Sequence, residues 1–82
     1  MRLFDNSSDK GLTDIILLLT RSEAAELRDS LNDVLKQTKW QDYHLHVDDS
    51  EYKHEITVAL YEPDSPNPYF AKRIQQLVAE DK

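Results

Sequence analysis

The chain has 82 residues, 16 acidic against 10 basic, a formal net charge of -6 and no cysteine. The missing thiols exclude disulfides, thiolate catalysis and thiolate metal sites, and the surplus negative charge opposes phosphate backbones and anionic membranes at long range. A hydrophobic content of 39% supplies one modest core, so a single small domain over residues 1–82 is expected, burying roughly 60–65% of its unfolded surface with a net stability on the order of 5 kcal/mol.

In chain order, Arg2 to Asp5 forms a short first strand and NSSDKG (6–11) a turn, in which Gly11, the only glycine, is the natural residue for positive φ. TDIILLLT (13–20) is short, bounded by polar residues and apolar at both parities, the pattern of a strand covered on both faces. Its aliphatic run, Ile15 to Leu19, falls far below the roughly 20 residues that cross a bilayer. MRLFDNSSDKG lacks the apolar stretch of a secretory signal, so a cytoplasmic location is expected. Thr20 and Glu23 then stand at capping-box spacing. Ala24, Leu27, Leu31, Val34 and Leu35 recur at helical period, which predicts a helix ending near Gln37 with one apolar stripe. Trp40 sits in the connection behind it.

WQDYHLHV (40–47) alternates: Tyr43, Leu45 and Val47 share one face, and His44, His46 and Asp48 the other. HEITVALY (54–61) alternates as well, with His54, Ile56, Val58 and Leu60 opposed to Lys53, Glu55, Thr57, Ala59 and Tyr61. DDSE between them has no glycine and suits a four-residue loop. EPDSPNP (62–68) carries all three prolines and reads as a linker. Asn67 as N-cap and Pro68 at the first helical position open a second helix, whose stripe is Phe70, Ile74, Leu77 and Val78. FDNSSDK (4–10) echoes VDDSEYK (47–53), and DIILLL (14–19) echoes EITVAL (55–60), each pair ahead of a helix, as in two ββα units. The expected architecture is α+β: a two-layer sandwich of a three- or four-stranded, mainly antiparallel sheet with both helices on one face, in the order ββαββα or βαββα.

All three histidines lie between Tyr43 and His54. His44, His46 and Asp48, on one strand face at about 6.5–7 Å spacing, are the candidate ligands for a metal. HLHVD resembles the HxHxD motif of the metallo-β-lactamase class over five residues, but the class motif continues with a histidine where this chain has Asp49. The polar side of a hairpin accounts for the same residues. Pairing in which residue numbers sum to 101 sets Tyr43 against Val58, Leu45 against Ile56 and Val47 against His54; the outer face then pairs His44 with Thr57, His46 with Glu55 and Asp48 with Lys53. His54 becomes a partly buried, neutral histidine. No metal and no cofactor is therefore assigned.

No other motif carries chemistry. DNSSDKG fails as a calcium loop in both frames, with Ile16 or Leu17 where the last carboxylate is needed. HEITV has Val58 where a zinc protease needs its second histidine. Ser7 and Ser8 lack nucleophile-elbow glycines. No catalytic residue is assigned. What the sequence offers is surface: Ile16, Leu18, Ala59 and Tyr61 with His44, His46 and Thr57, on the sheet face away from the helices, form an apolar patch rimmed by polar groups. The expected function is a non-enzymatic protein-interaction module, self-associating or bound to a protein partner. The alternatives are a small metal-binding protein or metal-dependent enzyme on His44, His46 and Asp48, and an acidic, immunity-type inhibitor docking on a basic partner.

Overall fold

The computed structural model of this chain describes every residue except Ser50, Tyr52, Pro66, Asp81 and Lys82. Ser50 and Tyr52, in the expected loop and repeat, and Pro66, in the linker, thus lie outside the described residues. Among the described residues, four strands and two α-helices follow in the order β1 (Leu3–Asp5), β2 (Lys10–Leu12), α1 (Arg21–Leu35), β3 (His44–Asp48), β4 (Glu55–Ala59) and α2 (Lys72–Glu80), with a 3-10 turn at Trp40–Asp42. The class is α+β and all pairing is antiparallel. The strands do not merge into one sheet: β1 pairs with β2 and β3 with β4, as two separate ribbons.

The first hairpin closes inside the stretch expected to be turn. Leu3 faces Leu12, Phe4 faces Gly11 and Asp5 faces Lys10. Asp5 organises the reversal: its carboxylate accepts from the Ser7 amide at 2.9 Å and the Ser8 hydroxyl at 2.7 Å, and its carbonyl accepts from the Asp9 amide at 2.9 Å. The left-handed residue is Asp9, at φ 57°, and Gly11 has ordinary strand geometry. Aspartate reaches this region at low cost because its short polar side chain bonds locally, so the glycine is not needed there. Residues 13–20 belong to no strand and no helix, which corrects the expected second strand.

α1 starts as its sequence requires. The Glu23 amide donates to Thr20 Oγ1 at 3.2 Å and the Thr20 amide donates to Glu23 Oε1 at 2.9 Å, so two otherwise unpaired N–H groups are satisfied reciprocally. The helix lays Val34 against Leu45 and Val47, 5%, 6% and 3% exposed, with Leu27, Leu31, Ile56, Val58 and Leu60 packed around them. Leu35 is 69% exposed: one residue beyond Val34 turns the side chain by about 100°, off the buried stripe.

α2 begins four residues later than Pro68 would place it. Asn67 is buried and commits its side chain elsewhere, donating to the Trp40 carbonyl at 3.2 Å and accepting from the Tyr69 amide at 2.8 Å. It holds the proline-rich segment against the Trp40 turn instead of capping the helix. Leu77 is the buried residue of α2, and the helix is tied to the first ribbon: Arg2 Nε donates to the Val78 carbonyl at 3.1 Å, and Arg73 donates to Asp9 at 2.8 Å and Asn6 at 2.6 Å while lying 5.5 Å from the centre of the Phe4 ring.

This packing separates residues that hold the fold from residues that do not. Leu45→Ala is expected to destabilise the chain by about 2–4 kcal/mol, from lost transfer energy plus the cavity left behind. Ile16→Ala should stay within about 0.5 kcal/mol of the parent. Urea denaturation of both variants checks the contrast.

Candidate functional site

Alternation in β3 places Leu45 and Val47 under α1 and leaves His44, His46 and Asp48 exposed on the far side of the ribbon. β4 adds Glu55, Thr57 and Ala59 to that face. The register differs from the expected one by two: His44 faces Ala59, Leu45 faces Val58, His46 faces Thr57, Val47 faces Ile56 and Asp48 faces Glu55. A shift of two preserves parity, so every side chain keeps its face. The shift also has a cause. The expected register sets Val47 against His54, which would bury an imidazole beside the core; the observed one sets Val47 against Ile56 and releases His54 to solvent. The side chain of His54 is 84% exposed, so the partly buried histidine expected here is not formed.

The released imidazole closes the hairpin. His54 Nδ1 lies 2.7 Å from Asp49 Oδ2, the Lys53 amide donates to Asp49 Oδ1 at 2.8 Å, and the Asp49 amide donates to the His54 carbonyl at 3.2 Å. The bond from His54, followed by that from the Lys53 amide, holds the Asp49 carboxyl below its ordinary value. On the outer face, His46 Nδ1 lies 2.7 Å from Glu55 Oε1 and 2.9 Å from Thr57 Oγ1. The expected contact between His46 and Glu55 is therefore present, but along a diagonal and not directly across. The expected pair of Asp48 with Lys53 is not formed; Asp48 faces Glu55, a like-charge arrangement.

The rings of His44 and His46 lie 5.4 Å apart, edge to face. Among the described residues, no three histidine, aspartate or glutamate side chains converge on a common point where a metal could sit, so His44, His46 and Asp48 are not gathered into a ligand set. An open trough of about 590 Å³ runs along the edge of β3, lined by His44, Leu45 and His46 of that strand, by Asp42, and by Ser30, Asp33, Val34 and Gln37 of α1 and its C-terminal end. It combines exposed acids with imidazoles whose nearest partners are each other or neighbouring strand residues, and it lacks a nucleophile joined to a base.

The expected contact surface divides into two. His44, His46, Thr57 and Ala59 share the outer face of β3–β4. Tyr61 lies beyond β4, half-buried, with Met1 donating to its hydroxyl at 3.4 Å and the Arg2 guanidinium 6.0 Å from its ring centre. Ile16 and Leu18 belong to neither ribbon. They are 83% and 89% exposed, next to Ile15 at 42% and Leu17 at 50%. Among the described residues, nothing from Thr13 to Leu19 takes part in a backbone or side-chain hydrogen bond. The expected surface includes Ile16 and Leu18 but not Ile15 and Leu17, because a strand here would turn its odd-numbered residues toward the helices.

No family model, curated protein or solved structure matches this chain. Among the described residues, no helix is long and apolar enough to cross a membrane.

The hairpin clasp has a signed pH dependence. A carboxyl whose folded pKa is depressed contributes stability that is complete above its unfolded value of about 3.9 and disappears as pH falls through the lower folded value. The difference in urea midpoint between the parent and Asp49→Asn should therefore be largest at about pH 5–7 and close progressively below about pH 4. A pH series of unfolding curves measures it.

Proposed function

We propose that this chain is a non-enzymatic, cytoplasmic protein-interaction module that docks through the aliphatic run Ile15–Leu19. One observation carries the reading: a segment outside both ribbons with Ile16 and Leu18 at 83% and 89% exposure and, among the described residues, with no hydrogen-bonded partner. Each such side chain forgoes about 1.5–3 kcal/mol of burial while it faces water, and a run of neighbours forms the contiguous patch that marks an interaction site. Backbone N–H and C=O groups left open beside it suit strand addition, in which a partner's main chain supplies the ladder and alternate side chains supply specificity. The net charge of -6 directs the reading toward protein and away from nucleic acid.

The non-enzymatic part rests on the state of the titratable groups. Asp5 and Asp49 are the carboxyls held below their ordinary range, each by local turn hydrogen bonds: Ser8 and then Ser7 for Asp5, His54 and then Lys53 for Asp49. The Ser8 hydroxyl meets Asp5 as part of a turn that also takes the Ser7 amide, and His54 meets Asp49 as the closure of a hairpin.

Photo-crosslinking in intact cells tests docking directly. A photoreactive residue at position 16 or 18 is expected to give a discrete protein adduct, and one at the exposed Glu62 none. If positions 16 and 18 give no adduct, or position 62 gives the same one, docking through this run is refuted.

A second reading, a two-histidine metal site, draws on the 5.4 Å separation of the His44 and His46 rings. On the leading reading, micromolar zinc leaves their imidazole resonances in place. Shifts confined to these two residues in an NMR titration favour the metal site instead.

A further inference from the structure

We infer that the occupant of the Ile15–Leu19 run is the same run of a second copy of this chain, paired antiparallel about a two-fold axis at Leu17. This rests on the docking role proposed for that segment and adds the identity of the partner. Two features point to a second copy. The first is the pattern of the run. In a two-fold antiparallel pair, residues directly opposite share a face, so one residue must face its own copy. Centring on Leu17 is the register that matches the whole run with itself: Ile15 faces Leu19 of the second copy, Ile16 faces its Leu18, and Leu17 faces its Leu17. All five aliphatics gain an aliphatic partner, on both faces of the ribbon.

The second feature is charge. Asp14 precedes the run and Arg21 follows it, the latter opening α1. Antiparallel pairing about Leu17 brings Asp14 of each copy opposite Thr20 of the other, next to Arg21 and the positive end of α1. Parallel pairing would set Asp14 beside Asp14 and Arg21 beside Arg21. The antiparallel arrangement is thus complementary at both ends, although whole copies of charge -6 repel at a distance. The exposed side chains present on the order of 200–300 Å² per copy, well short of the roughly 800 Å² per partner of a standard stable interface. The dimer is therefore weak and concentration-dependent.

The chain has no cysteine, which permits a clean test on the full-length protein. Opposite residues of an antiparallel pair have Cα atoms about 4.5–5.5 Å apart, inside the range that a disulfide bridges. Under mild oxidation, Leu17→Cys should form a covalent dimer at least tenfold faster than Leu12→Cys; the parent residues are similarly exposed, at 50% and 40%, but Leu12 lies in β2. A mixture of Ile16→Cys with Leu18→Cys should cross-link to each other faster than either does to itself. Sedimentation equilibrium of the unsubstituted chain should show a reversible dimer that Leu17→Lys abolishes, with circular dichroism unchanged. Equal rates for Leu17→Cys and Leu12→Cys, or a chain that stays monomeric at every concentration, overturn the self-pairing. If position 16 then cross-links to a different protein in cells, docking stands and only the second copy is wrong. If it cross-links to nothing, both fall.

Discussion

Val34 of α1 seated on Leu45 and Val47 of β3 is the contact from which the rest of the molecule takes its orientation. Once two alternate residues of β3 go under the helix, the residues between them must face water, because successive strand side chains point to opposite sides. That geometry exposes His44 and His46, fixes Ile56 and Val58 of β4 beneath the same helix, and puts Glu55 and Thr57 where they can reach an imidazole. The histidine cluster is in this sense a by-product of burial. Its members are near one another because the chain needed Leu45 and Val47 on the other side.

The same contact shows how little of the chain is held by packing. Besides that cluster, Leu77 is the buried hydrophobic residue among those described, and α2 reaches the first ribbon through the polar ties of Arg2 and Arg73. Small domains have a high ratio of surface to volume and cannot cover every apolar residue. Met1, Leu12, Leu35 and Tyr69 are exposed singly, but Ile15 to Leu18 are exposed as four consecutive residues. The run is what gives this exposure meaning: lone exposed aliphatics are ordinary, whereas consecutive ones form a contiguous apolar patch.

Local signals in this chain differ in how far they reach, and those that depend on near neighbours are the legible ones. The capping box of Thr20 and Glu23 was legible because it involves only near neighbours. The division of β3 and β4 into buried and exposed faces was legible because parity survives any even shift of register. The register itself was not, since the cost of placing His54 beside the core depends on what lies above it. Asn67 has the sequence context of a helix cap, but its side chain donates to the Trp40 carbonyl, 27 positions away. Gly11 was expected at positive φ, but Asp9 takes that role through hydrogen bonds that Asp5 organises. Of the candidate surface, His44, His46, Thr57 and Ala59 were found together as expected, whereas Ile16 and Leu18 lie on a segment with no place in either sheet.

Sequence alone determined what depends on composition and short range: an acidic, cysteine-free α+β chain, where α1 begins, and which side chains of the β3–β4 ribbon meet a core. Tertiary structure decided that the strands form two ribbons, that Val47 meets Ile56, and that the most aliphatic stretch is left outside. The reason is that strand pairing is non-local. A run such as IILLL states that it favours burial, but whether anything in its own chain is placed to bury it depends on where every other element has packed.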